Sequence, residues 1–242
     1  MPVTVAAPRR ARVHPDRIFF PLMSLLVLVT VWLGFSKTYY GVGMVRAHLP
    51  SAIVHVHAVV FTLWLVTLTV LTALVSVRKV KLHMTLGLWG FGLAALMVVI
   101  GSMAAVNSLH RGMSPAGSGL SAETFFIVPV TDMFCFAILA AWAYGVRRKP
   151  DQHKRLILFA TIALLDAAVG RFPYTIAPMG PMVQMMIIFS FLAVVVIYDV
   201  LSRRNIQRVT SIASLLIIAV QMVRIPFAQT AAWQAFAHLV RG

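Results

Sequence analysis

Seven apolar stretches, each about as long as a lipid bilayer is thick, constrain this chain more than any other feature. They span residues 18–35, 51–77, 86–107, 124–146, 156–172, 182–201 and 209–230. A helix needs roughly 20 mainly apolar residues to cross the hydrocarbon core. The fifth stretch is the shortest, and Asp166 interrupts it, yet it alone can return the chain between two clear neighbours. The expected fold class is therefore all-α, a polytopic membrane bundle of seven transmembrane helices. Composition agrees. The 242 residues are 60% apolar and only 11% charged, against about 25% charged in an ordinary soluble domain. So little charge cannot cover a surface in water.

The remaining charge fixes an orientation. There are 21 Lys and Arg against 6 Asp and Glu. With the N-terminus inside, 15 of the 21 basic residues fall in the four cytoplasmic segments, as the positive-inside rule requires. The reading is N-terminus in and C-terminus out, in a bacterial inner membrane. Residues 1–17 form a basic cytoplasmic tail, 18–230 the seven-helix domain and 231–242 a short interfacial helix, because Trp233, Phe236 and Val240 recur at helical spacing. The same argument excludes nucleic acid as the partner of these basic loops, which face lipid headgroups instead. The first span is longer than a signal-peptide core and lacks a small-residue cleavage site after it, so it reads as a retained anchor.

Local signals fit this map. Ser121 is placed to cap the fourth helix, with Glu123 near its positive end. Pro173 stops the fifth. The Gly- and Pro-containing loop 108–122 reads as a flexible lid. The single cysteine, Cys135, excludes an intrachain disulfide and lies in an apolar run as a packing residue.

Ionisable groups inside the membrane are costly and demand an explanation. At 1.5 Å per residue, His57, Asp166 and Arg224 lie about 9 Å below the outer surface and Asp132 about 12 Å. They stand on four different helices, with His55, Arg171 and Gln221 nearby and Tyr39, Tyr40, His48, His110 and Tyr174 in the loops above. The inner half shows no comparable layer. Asp166 and Arg171 point about 140° apart on one helix and do not pair; a bridge from Arg224 to Asp132 or Asp166 is expected instead. Two readings follow. The layer is a salt-bridge network that specifies packing, or it lines an outward-facing polar pocket that binds or transports a small solute or ion. In the second, the carboxylates carry protons or a cation and Arg224 holds an anionic group.

No catalytic motif is present, and redox chemistry is the enzymatic alternative. His55 and His57 resemble a metal-binding pair, but i and i+2 diverge by about 160° on a regular helix. His57, His83 and His153 are the candidate ligands for haem b or a divalent metal. His83 begins the third helix and His153 precedes the fifth, both beside basic runs on the inner side. Asp199, ending the sixth helix, reads as pairing with a neighbouring arginine at headgroup level. A third role is that of a structural or accessory subunit in a membrane complex.

His55 and His57, the run Lys81, Leu82, His83 with Gly87, the run Asp151, His153, Lys154, Arg155, Leu156, and Tyr198 with Asp199 together resemble a group of uncharacterised bacterial multi-spanning membrane proteins. The likeness covers most of helices two to seven and implies an inner-membrane location without an activity. The Leu82–His83 and Leu86–Gly87 elements are also similar, in part, to di-haem cytochromes b, which would imply haem; their full four-histidine arrangement is absent. Rhodopsin-type retinal attachment is excluded, because the seventh span has no lysine.

Overall fold

In the computed structural model, residues 15–114, 119–172 and 181–242 are described. They form helices α1 (Asp16–Phe35), α2 (Ala52–Ser76), α3 (Val80–His110), α4 (Ala122–Gly145), α5 (Pro150–Ile162), α6 (Asp166–Val169), α7 (Pro181–Arg203), α8 (Arg208–Ala228) and α9 (Ala231–Arg241). There is no strand among them. Among the described residues six helices are long and apolar enough to cross a membrane: Asp16–Tyr40, Ala52–Ser76, Val80–His110, Ala122–Gly145, Met182–Arg203 and Arg208–Ala228. The first includes a wider π-type turn over Ser36–Tyr40.

The fifth stretch differs from its expected continuous helix. It starts early, with Pro150 in the first turn of α5, where a missing N–H costs nothing. It then tightens at 163–165, where Leu164 N–H donates to Thr161 O at 3.1 Å and Leu165 N–H to Ile162 O at 3.0 Å. Such i-to-i−3 bonds mark a 3₁₀ turn, and α6 follows it. This broken segment is the centre of the bundle. Leu156, Phe159, Ala160 and Ile162 are completely buried, between α4, α8, α1 and α7. Elsewhere the apolar residues face outward as well as inward; Trp89 and Leu201 are each 78% exposed. Apolar residues all round a helix are what a lipid environment demands.

Two antiparallel hairpins, α2–α3 and α4–α5, pack together through α3 and α4. Small residues allow the closest approaches. A Cβ on Gly34 of α1 would lie 2.2 Å from the Ala168 carbonyl oxygen of α6. Ser121 caps α4, its Oγ accepting from Thr124 N–H at 3.1 Å. Helix α2 begins at Ala52, just after Pro50. Helix α9 folds back on α3 and α4, burying Trp233 and Ala237 while Leu239 faces out. Trp233 Nε1 donates to Glu123 O at 2.9 Å, and Arg241 pairs with the Glu123 carboxylate. The turns after α2, α4 and α7, with the start of α1, make up one basic end of the bundle.

Candidate functional site

Three of the four ionisable residues expected at one level meet around a single guanidinium. Asp132 comes from the middle of α4, Asp166 from the first residue after the tightened turn, and Arg224 from α8. Arg224 Nη1 donates to Asp132 Oδ1 at 3.1 Å and to Asp166 Oδ2 at 3.0 Å. Gln221, three residues before Arg224 and so on the same face of α8, donates from Nε2 to Asp166 Oδ2 at 2.5 Å. Asp132 and Asp166 are 8% and 7% exposed, so this group is almost removed from solvent. Both carboxylates share one cation. With both ionised, the group carries one negative charge in excess.

His57 does not join them. Its ring stacks on Phe61 at 3.9 Å, and its buried Nδ1 has no hydrogen-bond partner among the described residues. Helix α2 packs on α1 and α3, whereas Asp132, Asp166 and Arg224 lie where α4, α6 and α8 meet. Equal depth did not give equal direction. Arg171, as expected, does not pair with Asp166; its Nη1 donates to Ala167 O at 2.6 Å and its guanidinium covers the Phe35 ring. His55 is half-buried near the start of α2, and the regular helix there keeps it from sharing an ion with His57. Of the loop residues, Tyr40 hydroxyl lies 3.0 Å from Thr62 Oγ1, and His110 Nε2 2.8 Å from Val240 O. Tyr174 and Pro173 lie outside the described residues, as do residues 115–118 of the expected lid.

The basic end corrects a second expectation, that the other half of the bundle has no buried polar layer. Arg155 and Asp199 are both fully buried. Asp199 does not pair with a neighbour in the chain at headgroup level. It receives Arg155 Nε at 2.9 Å and also Arg155 Nη2. Its Oδ2 accepts from Thr210 Oγ1 at 2.6 Å and Gln207 N–H at 3.1 Å. Arg155 Nη1 donates to Asp151 O at 2.7 Å. The early start of α5 explains this, since it puts Arg155 in the second turn of the central helix and not in a loop. A partly exposed shell surrounds the pair. Lys154 Nζ bridges Asp16 at 2.6 Å and Asp151 at 2.7 Å, and Arg203 Nη2 lies 2.7 Å from Asp151. Tyr198 hydroxyl donates to Asp16. Burial disfavours the Asp151 carboxylate, but hydrogen bonds and charge from Lys154 and Arg203 outweigh it and hold the carboxyl below its ordinary range. The missed signal was Pro150, which can open a helix and so bring Arg155 into its second turn.

The remaining candidate ligands also have places. His83 and His153 come together, ring centres 6.5 Å apart. His83 Nδ1 lies 3.1 Å from Leu71 O and His153 Nδ1 3.2 Å from Ala143 O. A carbonyl only accepts, so each Nδ1 is the donor in these bonds. Two imidazoles fall short of the three or four ligands of a zinc site. Among the described residues no group of three or more His, Cys, Asp or Glu could hold a metal. Cys135 is a buried free thiol. A shallow cleft of about 450 Å³ lies between α2 and α3, lined by Ile53, Ser102, Met103, Val106, Asn107 and His110, and none of the Arg224 group borders it. No family model, curated protein or solved structure matches this chain.

Proposed function

We propose that this chain is a seven-span protein of a bacterial inner membrane, with its N-terminus inside and C-terminus outside. The group Asp132–Arg224–Asp166, assisted by Gln221, serves as its site for a small cation, a proton or a sodium ion. The broken α5–α6 segment supplies the seventh crossing, sheathed by the six longer helices. Orientation rests on the positive-inside distribution of Lys and Arg. The observation that carries the functional reading is the two-to-one ratio of carboxylates to guanidinium at a nearly dry site. A buried excess charge is expensive, and one monovalent cation removes it. Gln221 then orients Asp166 without adding charge. The α5–α6 break places Asp166 where a small change in the turn would alter its distance from Arg224.

The test is ion movement in liposomes containing the purified protein and an internal pH dye. A sodium gradient should drive a pH change faster than in protein-free vesicles, and both Asp132→Asn and Asp166→Asn should abolish it. Wild-type traces equal to protein-free controls would sink the transport reading.

A further inference from the structure

All six carboxylates of the chain are ion-paired within it, Asp16 and Asp151 with Lys154 and Arg203, Asp199 with Arg155, Asp132 and Asp166 with Arg224, and Glu123 with Arg241. The basic end is therefore divided. Lys154, Arg155 and Arg203 are neutralised from inside the molecule. Arg78, Lys79 and Lys81, around the α2–α3 turn, and Arg147, Arg148 and Lys149, in the α4–α5 turn, are all exposed. Among the described residues none of these six meets a carboxylate.

The two turns are held side by side. His83 and His153 meet at 6.5 Å, each anchored through Nδ1 to the last turns of the preceding helix. Phe91 of α3 packs edge-on against Tyr144 of α4 at 5.0 Å, and the Arg147 guanidinium lies over that Tyr144 ring, 4.2 Å from its centre. Six cations thus form one platform, three per turn. Next to it α3 exposes a short apolar strip, Met84 at 69% and Leu88 at 64% one turn apart, with Leu82 at 46% and Trp89 at 78% on a separate face. Trp89 lies about 12 Å along the helix from Lys81, at acyl-chain depth when the lysine is at headgroup level.

We propose that the two turns form one binding site for an anionic phospholipid bearing two headgroup phosphates, one over each turn, with acyl chains along the Met84–Leu88 strip. Each phosphate brings one negative charge to three unpaired cations, and arginine's planar fork suits phosphate oxygens. The adjoining apolar strip selects a lipid over a soluble anion. This site does not depend on the Arg224 group, which lies about 25 Å along the fifth segment from Lys149.

Native mass spectrometry of the intact protein tests it, in micelles doped with diphosphatidylglycerol, phosphatidylglycerol or phosphatidylethanolamine. Wild type should retain one diphosphatidylglycerol per chain, in preference to twice the concentration of phosphatidylglycerol. A basic residue near the surface is worth about fivefold in binding anionic lipid. The variant R78Q/K79Q/R147Q/R148Q should therefore lose the adduct. The milder K81Q/R148Q, which decides the matter if the fourfold variant does not insert, should weaken it about 25-fold. R204Q/R208Q removes two exposed arginines from the third basic turn and should leave it unchanged. The proposal is overturned if R204Q/R208Q weakens retention as much as K81Q/R148Q, since diffuse surface charge then suffices. It also fails if phosphatidylglycerol is retained equally, or if chain-free glycerol bisphosphate displaces the lipid at equal concentration.

Discussion

Replacing Arg155 should be the most damaging single change at the basic end. Its side chain is completely buried and makes three hydrogen bonds through three nitrogens, Nε and Nη2 to Asp199 and Nη1 to Asp151 O, the Nη2 bond being also the ion pair. In Arg155→Met the Asp199 carboxylate keeps only Thr210 Oγ1 and Gln207 N–H. Leaving one partner of a buried pair uncompensated costs about 3–5 kcal/mol. Removing both charges together, as in R155M/D199L, leaves no orphaned ion, and such paired replacements are often neutral. The double variant should therefore recover most of the loss, with a coupling of about 3 kcal/mol between the two sites. Arg155→Lys should not rescue, because a single ammonium cannot serve both carboxylate and carbonyl in the guanidinium's plane. The assay is reversible unfolding in mixed micelles, following helix signal against mole fraction of a denaturing detergent. Additive losses from R155M and D199L, with the double variant the least stable of the three, would refute the reasoning.

Other consequences follow from single contacts. Gly34→Ala pushes a Cβ to 2.2 Å from backbone oxygen of Ala168, so it should cost about 1–3 kcal/mol and lower the melting temperature in detergent, with Gly34→Val worse. Asp151 has its folded-state pKa depressed by Lys154 and Arg203, so its contribution is complete above its unfolded pKa of about 3.9 and lost as pH falls through the lower folded value. Comparing melting temperatures of wild type and Asp151→Asn from pH 7 to 3 should show the gap closing on acidification; a constant gap would reject this. Trp233→Ala removes the buried anchor of α9 and its bond to Glu123 O, which should cost about 3 kcal/mol and make the C-terminal helix cleavable by added protease.

Much of the fold was legible because membrane thickness sets helix length. The six long spans follow from runs of apolar residues, and α9 from the spacing of Trp233, Phe236 and Val240. The meeting of Arg224 with Asp132 and Asp166 was legible from depth alone, since residues at one level on neighbouring helices can bridge. Depth failed for His57 because direction around a helix depends on which neighbours it packs against, and α2 packs mainly on α3 and α1, with the His57 ring stacked on Phe61. The Arg155–Asp199 pair stayed hidden for a different reason. Both residues border basic turns, where charge ordinarily faces headgroups, and only the central burial of α5 turns Arg155 inward. The 3₁₀ turn before Asp166 has no glycine or proline to announce it; it accompanies the close contact of Gly34 with Ala168 and the reach of Asp166 to α8.

The central claim is that Asp132 and Asp166 share one guanidinium and hold one further monovalent cation between them. Infrared titration of the protein in nanodiscs measures this most directly, by counting protonated carboxyl groups as pH and sodium are varied. The account expects one protonated carboxyl per chain belonging to the pair, present without sodium, diminished by sodium or alkali, and altered in both Asp132→Asn and Asp166→Asn. A spectrum with no titrating carboxyl, or one that both variants leave untouched, would contradict it.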